Sequence, residues 1–424
     1  MDNLVIKGAR VIDPNLGLDE ITDIQIRDNR IIKIGNCSKD SSSEVIEAEG
    51  WIVIPGMFDM HVHLREPGFE YKETVHSGCL AAAAGGFTGV ACMPNTDPPI
   101  DNPGIVNLIK EKSLGTPVDV HPIAAITLRC EGNSLTEFAE LTQVGVKGFS
   151  DDGLPVASAE MMRLALEYGK MFDSVIIEHC EESSLTKNGV MDEGAVSTAL
   201  GLPGWPSIAE EMDVFRCISL AEYTGSRIHI AHVSTAGSVK LIRAAKAKGV
   251  NISAEVSPHH LTLDRELIRT FDSNYKVNPP LRAQDDINAL IKGLEDGTID
   301  AIATDHAPHA ADEKEVEFIK APFGMIGLET ALGVIITKLV NENRISLERM
   351  IDAFSNAPRR ILNLPEVSIQ EGQSPNLTLF DPEEEWTVDR DKMISKSKNT
   401  PFHDWKLKGR PKGVINRRKV WIRE

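Results

Sequence analysis

The chain has no Cys-x-x-Cys pair, no apolar run long enough to cross a bilayer, no low-complexity tract and no excess of basic charge. Each absence closes a class of function. The six cysteines (Cys37, Cys79, Cys92, Cys130, Cys180 and Cys217) are scattered through 424 residues, which reads as reduced thiols rather than a disulfide framework. Without about 20 consecutive apolar residues there is no candidate transmembrane helix. Met1–Arg10 lacks the basic-then-apolar pattern of an export signal, so the expected location is the cytoplasm. Acidic residues outnumber basic ones 63 to 45, for a formal charge of −18. That balance argues against nucleic acid or an anionic membrane as partner. A small anionic substrate would need a cation of its own inside a pocket.

What is present is the balance of a soluble globular protein, 42% hydrophobic and 25% charged. Residues 2–54 read as short strands: Leu4–Ile6, Ile24–Ile26, Ile31–Ile34 and Trp51–Ile54, broken by turns that include a Ser-rich tip at Ser41–Ser43. The far end is similar, with strands at Leu377–Phe380, Trp386–Val388, Val414-Ile415 and Val420–Ile422. Neither end has enough apolar residues for a core, so the economical arrangement is one β-sandwich domain from residues 1–55 plus 366–424. Residues 56–365 are then inserted between its halves.

The inserted part has a different rhythm: apolar strand, loop, amphipathic helix. Strands are predicted at Met57–His61, Gly89–Met93, Val118–Ala124, Gly145–Phe149, Ser174–Glu178, Arg227–Ala231, Asn251–Glu255 and Asp300–Ala303. Helices are predicted at Ala157–Tyr168, Ser207–Tyr223, Gly237–Lys248 and Gln284–Glu295, among others. Eight such units in series imply an α/β fold, a parallel (β/α)8 TIM barrel.

A barrel of this kind places its chemistry at the C-terminal ends of its strands. Strand one ends in His61 and His63, which alternate onto one face. Alone, a His-x-His is more simply a core histidine beside a rim residue. Strand four, however, is followed by Ser150-Asp151-Asp152-Gly153, strand five by His179, strand six by His232 and strand eight by Asp305-His306. Four histidines and a bridging carboxylate suit two zinc-like ions, His61 and His63 on one, His179 and His232 on the other. Such a pair presents hydroxide at neutral pH and polarises a carbonyl, so hydrolysis needs no covalent nucleophile. Asp305 suits a proton shuttle between attacking oxygen and leaving nitrogen; the alternative, a helix N-cap, fits less well with His306-Ala307-Pro308-His309 following at once.

Gly56–Pro67, Met93–Thr96, Ser150–Gly153, Glu255–His260, Val277–Arg282 and Ala303–His309 together resemble the cyclic amidohydrolases, and among these the long bacterial dihydroorotase type; Ala321–Gly324 and Gly327–Thr330 fit as well. The resemblance runs through the whole barrel. It implies reversible ring closure of N-carbamoyl-aspartate to dihydroorotate in pyrimidine synthesis, with zinc, two ions per chain, bridged by Asp152 and hydroxide. It also implies that Arg65, Asn95 and His309 bind the substrate carboxylate and that Asn278 contacts the ring amide. Hydantoinase-type sequences carry Ser at the Asn278 position and allantoinase-type ones carry Asn at the Arg65 position, so both residues favour dihydroorotase. The rival for Arg65 is a salt bridge to Glu66 or Glu70. For partners, the resemblance implies a small-molecule substrate, a homodimer, and an association with aspartate transcarbamoylase.

Other features are read as structural. Lys147 is a solvated lysine rather than a carbamylated metal bridge, Asp151 a cap on the next helix, and His259-His260 a supporting pair. Cys180 is a small buried residue. The glycines of Ala84–Gly89 lack phosphate-loop or Rossmann spacing. The charged stretch Ala310–Lys320 reads most simply as a solvated loop; because it follows His309 directly, the competing reading is a lid over the site. The rival functions are a neutral-ring hydantoinase or dihydropyrimidinase, and a silent scaffold subunit, which would have no reason to keep a full ligand set.

Overall fold

The computed structural model describes residues 3–37 and 44–423; the Ser-rich tip lies outside these. Eight parallel strands form the barrel: Met57–Val62, Phe87–Cys92, Asp119–Pro122, Gly148–Phe149, Val175–Glu178, Ile228–Ile230, Ile252–Val256 and Ala301–Ile302. They pair in chain order as runs of three and five. Single parallel bridges, Ala124 to Phe149 and Val62 to His306, join the runs and close the ring. Each observed strand overlaps its predicted range; the first two run one residue longer than expected, while the fourth, Gly148–Phe149, lacks the first three residues of its predicted range. Burial on both faces explains the near-continuous apolar runs.

Helices follow each strand, and their starts are written locally. Thr74 accepts from the Ser77 amide ahead of Val75–Ala84. Asn102 and Pro103 open Pro103–Lys112, Ser158 caps Ala159–Lys170 and Thr235 caps Ala236–Ala247. Gln284–Glu295 has the predicted bounds. Asp151 is a correction. It does not cap the following helix, whose cap is Ser158, but turns back to accept from the Thr127 amide at 3.0 Å and from the Thr127 hydroxyl. A buried carboxylate there satisfies more donors than at an exposed helix start.

Both chain ends enter one eight-stranded sheet. Asn3–Asp13 pairs with Leu18–Arg27, Glu44–Glu47 and Ile52–Pro55, and Ile52–Pro55 pairs antiparallel with Asn376–Thr387. Lys406–Asn416 and Lys419–Ile422 extend it. Its own core joins Leu4, Ile6, Ile24 and Val53 to Leu377, Leu379 and Ile415. The fold is therefore a TIM barrel carrying a small β-sandwich unit assembled from both termini. Among the described residues no helix is long and apolar enough to cross a membrane.

Gly56 is the joint between the two units. Its amide donates to Asn376 O at 2.9 Å, while its carbonyl accepts from Ser355 Oγ at 3.0 Å and Arg359 Nη1 at 2.8 Å. A Cβ at this position would collide with Asn376 Oδ1 and Thr88 Oγ1. Gly56→Ala is expected to lower stability by about 1–3 kcal/mol, read from urea unfolding; an unchanged midpoint would show that the joint yields without cost.

Candidate active site

The barrel mouth gathers the histidines and carboxylates expected from sequence. His61 lies at the end of the first strand and His63 just past it, where the His63 amide donates to His306 O at 2.9 Å. Asp152 follows the fourth strand, His179 the fifth, His232 the sixth and Asp305 the eighth. His61 Nε2 lies 3.3 Å from Asp152 Oδ1 and 3.7 Å from Asp305 Oδ1. His63 Nε2 lies 3.0 Å from Asp305 Oδ1 and 3.5 Å from Asp152 Oδ2. His232 Nε2 lies 3.8 Å from Asp152 Oδ1 and 2.9 Å from His179 Nδ1. The two oxygens of Asp152 thus face different histidines.

Outer partners decide which nitrogen of each ring faces inward. His61 Nδ1 donates to Glu255 Oε1 at 2.6 Å, His63 Nδ1 to Asn95 Oδ1 at 2.9 Å and His179 Nε2 to Glu181 Oε2 at 3.1 Å. Each leaves its other ring nitrogen pointing into the cluster. Glu255 also accepts from His229 Nε2 at 3.2 Å, and His229 Nδ1 meets Ser253 Oγ at 2.8 Å. Glu255 and Glu181 escaped the sequence reading. The available signal for Glu255 was an acidic residue inside an otherwise apolar barrel strand.

These groups fit a metal. His61 Nε2 and His232 Nδ1 are buried without a hydrogen-bond partner. Ligand atoms of His61, Asp152 and His232 lie within 4.8 Å of one another, as do those of His61, His63 and Asp305. Burial opposes charge on His61, yet Asp152 and Glu255 hold its imidazole well above the ordinary value. Burial likewise opposes charge on Asp152, yet His61 and His232 hold its carboxyl well below the usual range. Both directions describe one property: the cluster stabilises positive charge at its centre. Imidazole and carboxylate donors in this number suit zinc and its first-row neighbours.

A cavity of about 340 Å3 opens above the cluster, and of the predicted site residues only His61, fully buried beneath, does not line it. Arg65 sits on its wall in a left-handed conformation (φ 63°). Its Nε donates to Pro308 O at 3.1 Å. Among the described residues its guanidinium pairs with no carboxylate: Glu66 takes the Val75 amide and Lys112, and Glu70 the Gly68 amide. His309 Nε2 donates to Phe323 O at 2.8 Å and its Nδ1 accepts from Lys72 Nζ at 3.2 Å. Burial, with Arg65 and Lys72 close by, pushes the His309 imidazole down to about 2, so it is neutral. Lys72, which the sequence did not single out, stands behind His309 rather than in the cavity lining, and its Nζ also pairs with Glu313 Oε1 at 3.0 Å. Asn278 Oδ1 is buried without a partner, an acceptor free for a ligand N–H, and its Nδ2 reaches Glu181 Oε2 at 3.4 Å.

The remaining readings sort cleanly. Lys147 is exposed, away from the cluster. Cys180 is buried near Cys217. His260 donates to Pro279 O at 2.9 Å, steadying the loop that bears Asn278, and Ser257 Oγ ties His260 to His259. In the segment read as a loop or a lid, Lys314 is buried and donates to Pro322 O and Gly324 O, each at 3.0 Å.

Residues 50–238 match the family model described as dihydro-orotase-like. A dihydroorotase of Pelotomaculum thermopropionicum is 50% identical over 97% of this chain and 96% of its own. One of Acetivibrio thermocellus is 48% identical over 99% of both. In fold, the chain is similar to the L-hydantoinase of Arthrobacter aurescens, with a TM-score of 0.88, 24% identity, and coverage of 99% of this chain and 96% of that one.

Glu255→Gln is expected to weaken metal binding by about 10–100-fold, because the amide no longer takes a full hydrogen bond from both histidines. Competition with a chromophoric chelator measures this; wild-type affinity would remove Glu255 from the support of His61.

Proposed function

The chain belongs to the dihydroorotase family, and from that premise we propose how its residues interconvert dihydroorotate and N-carbamoyl-aspartate. The supporting observation is Arg65: a guanidinium on the cavity wall, beside a metal-type cluster, with no carboxylate of its own. Dihydroorotate brings the missing carboxylate, and a planar guanidinium takes it in two parallel hydrogen bonds. His309 and Asn95 complete that end of the cavity, with Lys72 hydrogen-bonded to the His309 ring behind it. The free Asn278 Oδ1 accepts from the ring N–H. Neutral hydantoins and dihydropyrimidines would leave Arg65 desolvated and unpaired, which disfavours them.

His61, His63, Asp152, His179 and His232 would hold the metal; we assign zinc, two ions, with Asp152 shared. When bound, such ions supply Lewis acidity, lowering the pKa of water and polarising the ring carbonyl. Asp305 Oδ1, beside His63 Nε2, performs the proton transfer. Burial opposes its charge, but the His63 hydrogen bond and the His61 charge keep it below the usual carboxylate range, hence ionised and able to accept. It takes the proton from the water oxygen as the C–O bond forms. It then gives that proton to the ring nitrogen as the C–N bond breaks, and the second proton of the water leaves to solvent, so that the products are a second carboxylate and a ureido group; ring closure retraces the steps and takes that proton back up. The same reading carries a homodimer and association with aspartate transcarbamoylase, which sedimentation of the chain alone and with that protein would read.

Zinc-loaded protein should turn over dihydroorotate and lose activity on chelation. Asp305→Asn should lower kcat by about 10²–10⁴-fold with bound metal unchanged, measured by mass spectrometry on the same sample. Turnover of hydantoin but not dihydroorotate would overturn the substrate assignment, and an Asp305→Asn enzyme at full rate would overturn the proton path.

A further inference from the structure

Residues 393–399, between the strands Asn376–Thr387 and Lys406–Asn416, form a stretch without regular structure after the short turn Arg390–Lys392, with Met393, Ser395, Ser397 and Asn399 buried and Ile394 and Lys396 exposed. The backbone groups on its buried side must find partners. Two buried carboxylates of the barrel provide them. Glu329 accepts the amides of Ile394 (2.9 Å) and Ser395 (3.0 Å). Glu73 accepts the Ser395 hydroxyl (2.5 Å) and the Lys396 amide (3.2 Å). Ser397 Oγ then donates to Lys72 O at 2.7 Å. The stretch is a strap stapled across the barrel mouth.

It ends at Asn399, whose side chain is fully engaged. Oδ1 accepts from the His309 amide at 3.1 Å, and Nδ2 donates to Ala307 O at 3.0 Å and Gly324 O at 3.2 Å. The Asn399 carbonyl also accepts from the Ile326 amide at 3.0 Å. One amide thereby fixes the spacing of two cavity-lining loops, 307–309 and 322–324. The clearance there is small: at Gly324 a Cβ would meet Ala307 Cβ at 2.7 Å and His309 Nε2 at 3.2 Å.

We propose that Asn399, carried on this strap, is a positioning residue for substrate recognition: it sets His309 at the end of the cavity that receives the substrate carboxylate, while Ser397 holds the backbone of Lys72, whose ammonium backs the His309 ring. This rests on the reading of that cavity given above. Asn399 does not line the cavity, and its side chain bonds the backbone of His309, Ala307 and Gly324 rather than a residue of the metal-type cluster, so its effect falls on binding of the anion and not on the chemical step.

The test is steady-state kinetics of zinc-loaded wild type, Asn399→Ala and Ser397→Ala on dihydroorotate, with metal content and melting temperature on the same samples. Asn399→Ala should raise KM about tenfold or more with kcat within about threefold and bound zinc unchanged, and Ser397→Ala should do the same more weakly. Unchanged KM in folded variants would overturn the proposal, as would a fall in kcat that follows loss of zinc. If Asn399→Ala does not fold, Ser397→Ala decides alone by the same criterion. A wild type that binds zinc but does not process dihydroorotate would overturn the cavity reading itself, and the role of Asn399 with it.

Discussion

The mouth of this barrel is built around lone pairs held too close together to be stable without a cation. His61, His63, His179 and His232 turn ring nitrogens toward Asp152 and Asp305. At the base of the cluster His61 Nε2 is buried without a hydrogen-bond partner, 3.3 Å from Asp152 Oδ1. In a low-dielectric interior such a set costs several kcal/mol unless positive charge fills it. The support around it follows from that requirement. Glu255, Asn95 and Glu181 each take the outer N–H of one histidine, which fixes the rings of His61, His63 and His179.

A second constraint ties this cluster to the closure of the barrel. Asp59, fully buried in the first strand, accepts from the His61 amide at 3.1 Å, the Thr304 amide at 3.1 Å and the Thr304 hydroxyl at 2.5 Å. The first and last strands therefore meet through a carboxylate placed between a metal-type histidine and the residue before Asp305. The backbone departs from its easy conformations at the same places: Arg65 (φ 63°), His232 (φ 28°) and Asp305 (φ 47°) are all left-handed. Each costs about 1–3 kcal/mol, which the surrounding hydrogen bonds offset.

Much of this was legible in the sequence because strand ends and side-chain chemistry coincide. His61, His63, His179, His232 and Asp305 each sit where an apolar run stops, and position in a barrel strand converts directly into position at the mouth. Arg65 was legible through chemistry, as a cation in an acidic chain close to the histidines. What was not legible depends on contacts between residues far apart in the chain. Glu255 meets His61 across 194 positions and Asn399 meets His309 across 90; the acidic residue in an apolar strand marks Glu255 as unusual but does not name its partner, and no local pattern marks Asn399. Asp151 misled because an Asp before a helix usually caps it, whereas here a buried donor pair on Thr127 competes for the same carboxylate.

The interleaving of the chain ends also sets an order of events during synthesis. The strand Ile52–Pro55 is made early, but its antiparallel partner Asn376–Thr387 comes some 320 residues later. At about 5–20 residues per second on the ribosome, that edge waits on the order of tens of seconds. Throughout that interval an apolar strand edge stands open to mispairing with other nascent chains. The strap that ends at Asn399 emerges later still, so the mouth cannot reach its final shape until nearly the whole chain is out. A growing chain therefore cannot process its substrate ahead of its own completion, and truncation near residue 390 would cost both the sheet and the anion-binding end of the cavity.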